Sequence, residues 1–204
     1  MLNSYKICII VPVYNHEQAI PQVISKLKNY GIPCLLINDG SSALCSKVLE
    51  NCAENESTWI SLVNRRENGG KGAAVMDGFS LSRQLGFTHA IQIDADGQHD
   101  FTDIPRFVEA SRLNPDALIL GKPLFDETVP KSRLYGRHFT NLWIHINTLS
   151  LAIADGMCGF RAYPLAAVER LAGFAAIGKR MDFDIDIVVR LFWQGILVIN
   201  IPTY

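Results

Sequence analysis

Residues 89–100, "HAIQIDADGQHD", join a strand pattern to a cluster of acids. Apolar and polar residues alternate over His89–Ile93, as they do along a β-strand. Asp94, Asp96 and Asp100 then follow within seven positions. Carboxylates this close repel one another, so we expect a positive group to offset them. The stretch therefore predicts a strand whose carboxyl end carries a binding site.

Short β-branched runs alternate with helical patterns on both sides of this stretch. The runs predicted as strands are Ile7–Val13, Pro33–Asn38, Trp59–Asn64, His89–Ile93 and Ala117–Leu120, and the helical patterns between them are Glu17–Tyr30, Ala43–Asn55, Gly72–Leu85 and Ile104–Leu113. This spacing predicts crossover connections and a largely parallel sheet. Runs such as "ICIIV" are apolar on both faces, which indicates an α/β fold with helices on both sides of the sheet.

The chain follows a different rhythm after Gly121. A long amphipathic helix is predicted over residues 131–154, then a short strand and turn in "MCGFRAYP", a helix in "DFDIDIVVRLFWQG" and a last strand in "ILVINIP". The length of 204 residues predicts one domain, with residues 1–120 as the ligand-binding half and residues 121–204 as a more variable half. The sequence stops at "INIPTY", directly after a strand-like run, which leaves open that a C-terminal segment is missing.

Composition restricts the class of protein. A hydrophobic share of 49% and a charged share of 19% are typical of a globular domain rather than a disordered chain. The net charge of −1 provides no overall field for nucleic acid, so no nucleic-acid partner is expected. Five cysteines without a CxxC pair favour a reduced, cytoplasmic setting. No uninterrupted apolar stretch reaches the ~18 residues of a membrane span.

The acid cluster suits a hard cation. Side chains two positions apart on an extended segment point the same way, so Asp94, Asp96 and Gln98 can converge on one ion. Oxygen ligands without a Cys/His cluster favour Mg²⁺ or Mn²⁺ over zinc. This metal is the positive group that the acids require. A solvated loop with chance acids is the alternative for so short a pattern.

A second stretch, "NRRENGGKGAA" at residues 64–74, suits phosphates. It places Arg65, Arg66 and Lys71 around three glycines that lead into a helix N-terminus. It is not a P-loop, since no glycine lies five residues before Gly70 and no Ser or Thr follows Lys71. It also lacks the GxGxxG of dinucleotide-binding folds. Phosphates and a metal without either motif indicate a nucleotide-sugar as the ligand.

Five motifs now resemble a known family. "IIVPVYNHEQ", "LLINDGSS", "NGGKGAA", "IQIDADGQHD" and "DGMCGFRAYP" resemble, in order, those of the family 2 glycosyltransferases, and the likeness is greatest to the dolichyl- or polyprenyl-phosphate sugar synthase branch. The resemblance implies the GT-A fold, a Rossmann-like and mostly parallel sheet. It also implies a nucleotide-sugar half at residues 1–120 and an acceptor half at residues 121–204.

The resemblance further implies roles for individual residues. Pro12, Tyr14, Asn15 and Glu17 would surround the base and ribose of the donor, and Asp39 would hold the base. Lys71 would lie near the nucleotide. Asp94 and Asp96 would form the family's DxD motif, and Gln98 would complete the metal shell. The implied reaction inverts the anomeric carbon of a UDP- or GDP-sugar. The metal on Asp96 and Gln98 would stabilise the leaving diphosphate, with Asp94 on the metal or the ribose.

The acceptor decides which further residues matter. A phosphate acceptor arrives ionised and needs cations, for which Lys122, Arg133 and Arg137 are the candidates, although a solvated basic helix face explains them equally well. A hydroxyl acceptor needs a general base, and the candidates are Asp155, Asp182, Asp184, Asp186 and His99, with Asp184 or Asp186 matching a region where the family often has an acid. The sequence leaves this choice open.

The alternatives to transfer onto a lipid phosphate are transfer onto a lipid or glycan hydroxyl, a sugar nucleotidyltransferase, and an inactive nucleotide-sugar-binding module. Trp143, Ile144 and Leu151 on the long helix suit contact with lipid, which predicts peripheral contact with the inner face of a membrane. Packing of the same residues against the sheet is the competing interpretation.

Overall fold

The protein is built around one β-sheet. A computed structural model describes residues 5–125 and 131–203, with the backbone alone at residues 131–134, and these ranges contain seven strands in the order β3-β2-β1-β4-β6-β5-β7. The strands are β1 (Ile7–Val13), β2 (Cys34–Asn38), β3 (Ile60–Asn64), β4 (His89–Gln92), β5 (Leu118–Pro123), β6 (Arg161–Pro164) and β7 (Val198–Thr203). The predicted strands are therefore confirmed to within a few residues at their ends.

Strand direction places most loops of interest on one edge. β1 pairs in parallel with β2 and β4, β2 with β3, and β5 with β7. β6 pairs antiparallel with both β4 and β5. Because β6 alone among these strands is reversed, the carboxyl ends of the other six meet at one edge. The prediction of a largely parallel sheet is confirmed.

Helices cover both faces of the sheet. They are α1 (Ile20–Leu27), α2 (Ala43–Asn55), α3 (Lys71–Gln84), α4 (Ile104–Leu113), α5 (Lys131–Thr148), α6 (Leu165–Phe174) and α7 (Phe183–Trp193). Alternate residues of β1 enter two separate cores: Ile9 and Val11 pack with α1, α2 and α4, whereas Cys8 and Ile10 pack with the other helices. Each fully buried aliphatic side chain contributes about 1.5–3 kcal/mol, so both faces stabilise the central strands.

Helix α3 lies unusually close to the sheet. A Cβ atom at Gly78 would come within 2.7 Å of Ile10 Cγ2, so only glycine permits this approach. The close packing fixes the direction of α3 across β1. Its first turn, which begins at Lys71, is thereby held at the carboxyl edge of the sheet.

The second half departs from the predictions in two places. Helix α5 ends at Thr148 and not at residue 154, because Leu149 adopts a left-handed backbone (φ 48°) that stops the helix. Helix α6 was not predicted, although the spacing of Leu165, Val168 and Leu171 marks a buried helical face. Within the described residues, no helix is both long enough and apolar enough to cross a membrane.

Candidate active site

A cavity of about 440 Å³ opens at the carboxyl edge of the sheet. The ends of β1, β2 and β4, the glycine turn before α3 and the loop before α7 form its walls. The predicted donor residues among its lining are Pro12, Tyr14, Asp39, Lys71, Asp94 and Asp96. Its lining also includes His16, Asn68, Arg180 and Met181, to which the sequence assigned no role. This cavity is termed the donor cavity below.

Asp39 anchors the glycine turn. Its side chain is 3% exposed, and its Oδ1 accepts the Gly69 N–H at 2.9 Å while Oδ2 accepts the Gly70 N–H at 2.9 Å. Asn68 Nδ2 donates to Oδ2 at 3.1 Å, and Arg65 forms an ion pair with Oδ1. Four donors thus converge on one carboxylate. Asp39 therefore fixes the position of the glycine turn at the cavity. Its contact with a nucleotide base stays a prediction.

Asn15 and its neighbours shape the opposite wall. Asn15 adopts a left-handed backbone (φ 56°), which asparagine tolerates better than most residues. Its N–H donates to Ser41 Oγ at 3.1 Å, and its Oδ1 accepts the Ser42 N–H at 2.8 Å. These bonds join the loop after β1 to the loop after β2. Tyr14, which is half exposed, then lines the donor cavity, and Glu17 is partly buried nearby in sequence.

Lys71 lies between two carboxylates. Its Nζ is 2.7 Å from Asp184 Oδ2 and 2.8 Å from Asp94 Oδ1. Burial opposes the charge on Lys71, but the two carboxylates outweigh burial and raise its pKa. Burial likewise opposes the charge on Asp94, but the neighbouring His99 and Lys71 hold the pKa of Asp94 below its usual range. Both groups are therefore charged at neutral pH.

Behind Lys71 lies a buried polar network that was not predicted. Asp184, which is 5% exposed, accepts a hydrogen bond from Gln92 Nε2 at 3.2 Å. The fully buried Arg161 donates to the carbonyl oxygens of Cys158 at 2.6 Å, Gly156 at 2.9 Å and Asp184 at 2.6 Å. The sequence signal that could have indicated this network is the presence of the polar residues Gln92 and Arg161 on strands that are otherwise apolar.

Asp182 and Asp186 support the loop before α7. Asp186 accepts the Gly178 N–H at 2.9 Å and forms an ion pair with Arg190. Asp182 accepts the Arg180 N–H at 3.1 Å. Of the candidate bases on α7, Asp184 is thus paired with Lys71 and Asp186 with Arg190.

The DxD residues suit a divalent cation that the substrate helps to hold. Asp94 Oδ1 is buried and receives no well-directed hydrogen bond, although Lys71 lies close to it. Asp96 is exposed to the same cavity, and its Oδ1 accepts the Gln98 N–H at 3.0 Å. In the described ranges, no three His, Cys, Asp or Glu side chains form a ready-made metal cluster. Two carboxylates completed by water and phosphate oxygens are, however, a common donor set for Mg²⁺.

A second cavity, of about 370 Å³, lies between β5 and α5 and is termed the basic cavity. Lys122, Arg137 and Asp155 line it, so two of the three predicted acceptor residues share one site. Arg137 Nη2 donates to Asp155 Oδ1 at 2.7 Å, and Asp155 also accepts the N–H groups of Met157 and Cys158 at 2.8 Å each. The side chain of Arg133, the third predicted residue, lies outside the described residues.

Electrostatics fix the charge state of this pair. Burial would raise the pKa of Asp155, but Arg137 and the two N–H groups outweigh it and lower the pKa. Lys122 is exposed at the same cavity. The basic cavity therefore contains one cation that is neutralised by a carboxylate and one that faces solvent.

The two cavities lie at the same edge of the sheet. β4 and β5 run in the same direction on either side of β6. Neighbouring strands are about 4.8 Å apart, so the carboxyl ends of β4 and β5 are separated by roughly 10 Å. Donor and acceptor ligands at these two ends would be neighbours.

Helix α5 presents an apolar surface beside the basic cavity. Its exposed members are Tyr135, Phe139, Leu142, Trp143 and Ile146, each more than half exposed. Leu151, which follows the helix, is 80% exposed. Trp143 and Leu151 are thus available for the predicted contact with lipid. Ile144 is 1% exposed and packs against Gly156, so the prediction for that residue is wrong.

The fold and the site define a class of protein. A mostly parallel sheet with helices on both faces and a cavity at the carboxyl ends of its strands, here bordered by Asp94 and Asp96, is the arrangement of GT-A glycosyltransferases. A solved structure of glucosyl-3-phosphoglycerate synthase from Mycobacterium tuberculosis in complex with UDP superposes with a TM-score of 0.69 at 16% identity, covering 98% of this chain and 72% of that one. Residues 8–171 match the sequence model of glycosyl transferase family 2, and the chain belongs to that family.

Two similar proteins have names that refer to polyprenyl phosphates or their sugar derivatives. The chain is 25% identical to a polyprenol monophosphomannose synthase of Mycolicibacterium smegmatis over 95% of its own length and 75% of the relative's. It is 28% identical to an undecaprenyl-phosphate 4-deoxy-4-formamido-L-arabinose transferase of Pseudomonas fluorescens over 81% of its own length. It spans only 49% of that second relative.

Proposed function

We propose that this protein transfers a sugar, with inversion, from a nucleoside-diphosphate sugar to a polyprenyl phosphate. The observation that carries the proposal is the pair of cavities at one edge of the sheet. The donor cavity contains Asp94 and Asp96, and the basic cavity contains Lys122 and Arg137. The names of the similar proteins support the same acceptor class.

On the donor side, the chain binds and orients the nucleotide. Pro12 and Tyr14 would contact the base and ribose, and Asp39 would keep the glycine turn in place through Gly69 and Gly70. Asp94 and Asp96, with Gln98, would hold Mg²⁺ or Mn²⁺. Such an ion, when bound, neutralises charge on the departing diphosphate.

On the acceptor side, the charges favour a phosphate over a hydroxyl. A hydroxyl must lose a proton to a general base, whereas a phosphate is already ionised. The candidate bases Asp184 and Asp186 are already held in ion pairs with Lys71 and Arg190. Lys122 faces solvent in the basic cavity and offers an attractive charge to an incoming phosphate. Inversion requires that the phosphate attacks the anomeric carbon from the face opposite the leaving diphosphate.

The apolar surface of α5 supports a lipid acceptor. A polyprenyl chain is insoluble in water and is presented at a membrane surface. Exposed aromatic and aliphatic residues such as Phe139, Trp143 and Ile146 are the types that bind at such an interface. We infer peripheral contact with a membrane through this face.

The proposal is tested by assaying transfer from a panel of UDP- and GDP-sugars to a short-chain polyprenyl phosphate and, in parallel, to the corresponding polyprenol. We expect transfer to the phosphate alone, dependent on Mg²⁺ or Mn²⁺. Lys122→Gln should lower that transfer by roughly tenfold, the value of a hydrogen bond to a charged group, while donor hydrolysis is retained. Lys122 is a cleaner probe than Arg137, whose removal would also leave the buried Asp155 unpaired.

The matched control is Lys47→Gln, which removes an exposed lysine from α2, away from both cavities. It should leave transfer unchanged. If the wild type glycosylates the polyprenol and ignores the phosphate, the acceptor is a hydroxyl, and Asp184 or Asp186 becomes the candidate base. If neither acceptor is used but a nucleoside triphosphate and a sugar phosphate yield pyrophosphate, the protein is a nucleotidyltransferase.

A further inference from the structure

The donor cavity needs a cation for the diphosphate, and two obvious candidates are already neutralised. Lys71 is shared by Asp94 and Asp184 at 2.8 and 2.7 Å. Arg65 forms ion pairs with Asp39 and with Asp77, the latter at 2.7 Å. Each side chain would have to give up a carboxylate to bind phosphate. Arg65 and Lys71, two of the three basic residues that the sequence places around the glycines, therefore organise the site, and the third, Arg66, is exposed and does not line the cavity.

Arg180 differs from both. It lines the donor cavity and is exposed, and across the described residues its side chain forms neither an ion pair nor a hydrogen bond. Asp182 accepts a hydrogen bond from the backbone N–H of Arg180, at 3.1 Å, and none from its side chain. Its guanidinium is thus a cavity cation whose charge is not offset by a protein carboxylate.

The loop that carries Arg180 is fixed against the glycine turn. The Ala73 N–H donates to the Lys179 carbonyl oxygen at 3.1 Å. A Cβ atom at Gly70 would lie 2.5 Å from that carbonyl oxygen and 2.8 Å from Arg180 Cγ, so the turn must be glycine for the two segments to touch. This contact holds residue 180 against the segment that the sequence marks as phosphate-binding.

We propose that Arg180 binds the diphosphate of the donor and supplies the phosphate-binding charge that Lys71 and Arg65 do not. The inference rests on the proposed function and deepens it, since it names a donor contact outside the family motifs. A guanidinium presents two parallel N–H donors to phosphate oxygens, which gives direction as well as charge. As the nucleoside diphosphate departs, the same contact would offset its increasing charge.

The test measures binding of UDP, GDP and the corresponding nucleosides to the whole chain by calorimetry with Mg²⁺ present. For the diphosphate that the wild type binds, Arg180→Gln should raise the Kd by about tenfold or more, because a charge-assisted hydrogen bond is lost. Arg180→Lys should recover part of the affinity, because lysine restores the positive charge but not the two parallel N–H donors. Affinity for the nucleoside should stay the same in both variants.

Lys179→Gln is the matched control, because it removes one positive charge from the same loop without altering the lining of the cavity. It should leave the Kd of the diphosphate unchanged. Equal diphosphate affinity in Arg180→Gln and wild type overturns the inference alone. Equal loss in Arg180→Gln and Lys179→Gln also overturns it, in favour of a general field effect. Absence of binding of either diphosphate by the wild type overturns the proposed function and, with it, the inference.

Discussion

The half predicted to bind the donor (residues 1–120, the donor half) and the half predicted to bind the acceptor (residues 121–204, the acceptor half) contain similar residues in different arrangements. In the donor half, Asp39 and Asp94 follow parallel strands and meet partners at the glycine turn of the same edge, whereas Asp96 accepts an N–H of its own loop. In the acceptor half, Asp155 follows a helix, precedes the reversed strand β6, and pairs with Arg137 on α5. Strand direction alone thus positions the first set, whereas the second depends on how a helix packs.

The difference shows how the residues of each site are held in position. The donor residues are held by hydrogen bonds to backbone groups, such as the Gly69 and Gly70 N–H donors to Asp39. In the acceptor half, Arg137 is held by its ion pair with Asp155, which two backbone N–H groups fix in turn, whereas Lys122 is exposed and is held by no carboxylate among the described residues. We therefore expect substitution of a buried, anchored carboxylate such as Asp39 to affect folding and binding together, and substitution of an exposed residue such as Asp96 or Lys122 to separate the two.

The largest effect is expected for Asp39→Ala. Removing a buried carboxylate leaves Arg65 and two backbone N–H groups without their acceptor, which should lower the free energy of unfolding by about 3–5 kcal/mol. Donor affinity should fall as the glycine turn loosens. Urea unfolding and nucleotide calorimetry measure the two effects.

Asp77→Ala is the control for that variant, because Asp77 pairs with the same Arg65 but is 54% exposed. It should change stability by less than about 1 kcal/mol. Similar losses in the two variants would show that Asp39 acts only through Arg65. The role of Asp39 as the anchor of the glycine turn would then no longer hold.

The next effect is expected for Asp96→Asn, which should preserve the fold because Asp96 is exposed. Its predicted role at the metal implies a loss of Mn²⁺-dependent nucleotide affinity of roughly 100-fold. Calorimetry with and without Mn²⁺ measures this loss. Asp100→Asn changes a carboxylate of the same loop that caps a short helical turn at the Thr102 N–H, and it should leave Mn²⁺ dependence intact. Unchanged Mn²⁺-dependent affinity in Asp96→Asn would rule out the metal assignment.

The smallest effect is expected for Asp155→Asn, at about 2 kcal/mol of stability at pH 7. Because the pKa of Asp155 is lower in the folded than in the unfolded protein, its ionisation stabilises the fold above the unfolded value of ~3.9, and this contribution is lost as the pH falls towards the folded-state pKa. The stability difference between wild type and variant should therefore be full at pH 6 and shrink below pH ~4. A difference that is constant with pH would indicate that the charge of Asp155 contributes nothing.

The sequence predicted the parallel strands and the residues at their ends because both are local features. A buried strand is visible as an apolar run, and its carboxyl end is marked by residues such as Asp39 or Asp94. The partners of these residues were not predictable in the same way. Asp39 meets Gly70 across 31 positions and Lys71 meets Asp184 across 113, and no local pattern encodes such pairs.

Three further features escaped prediction for identifiable reasons. In the sequence, Gln92 and Arg161 are isolated polar residues on predicted strands. They form a network only because α7 packs against the sheet and brings Asp184 to them. The end of α5 was placed too late because Leu149 continues the apolar pattern that its left-handed backbone breaks. Arg180 lies in no motif and reaches the donor cavity through its loop's contact with Gly70.

The order of the strands has a consequence for synthesis on the ribosome. The four strands β3-β2-β1-β4 are adjacent in the sheet and are complete by Gln92, so they can pair while the rest of the chain is still being made. The strand β5 ends at Pro123, but its parallel partner β7 begins only at Val198. At a synthesis rate of about 5–20 residues per second, the edge of β5 that pairs with β7 stays unpaired for roughly 4–15 s. During that interval an apolar strand edge is open to pairing with other chains, which exposes the nascent protein to aggregation.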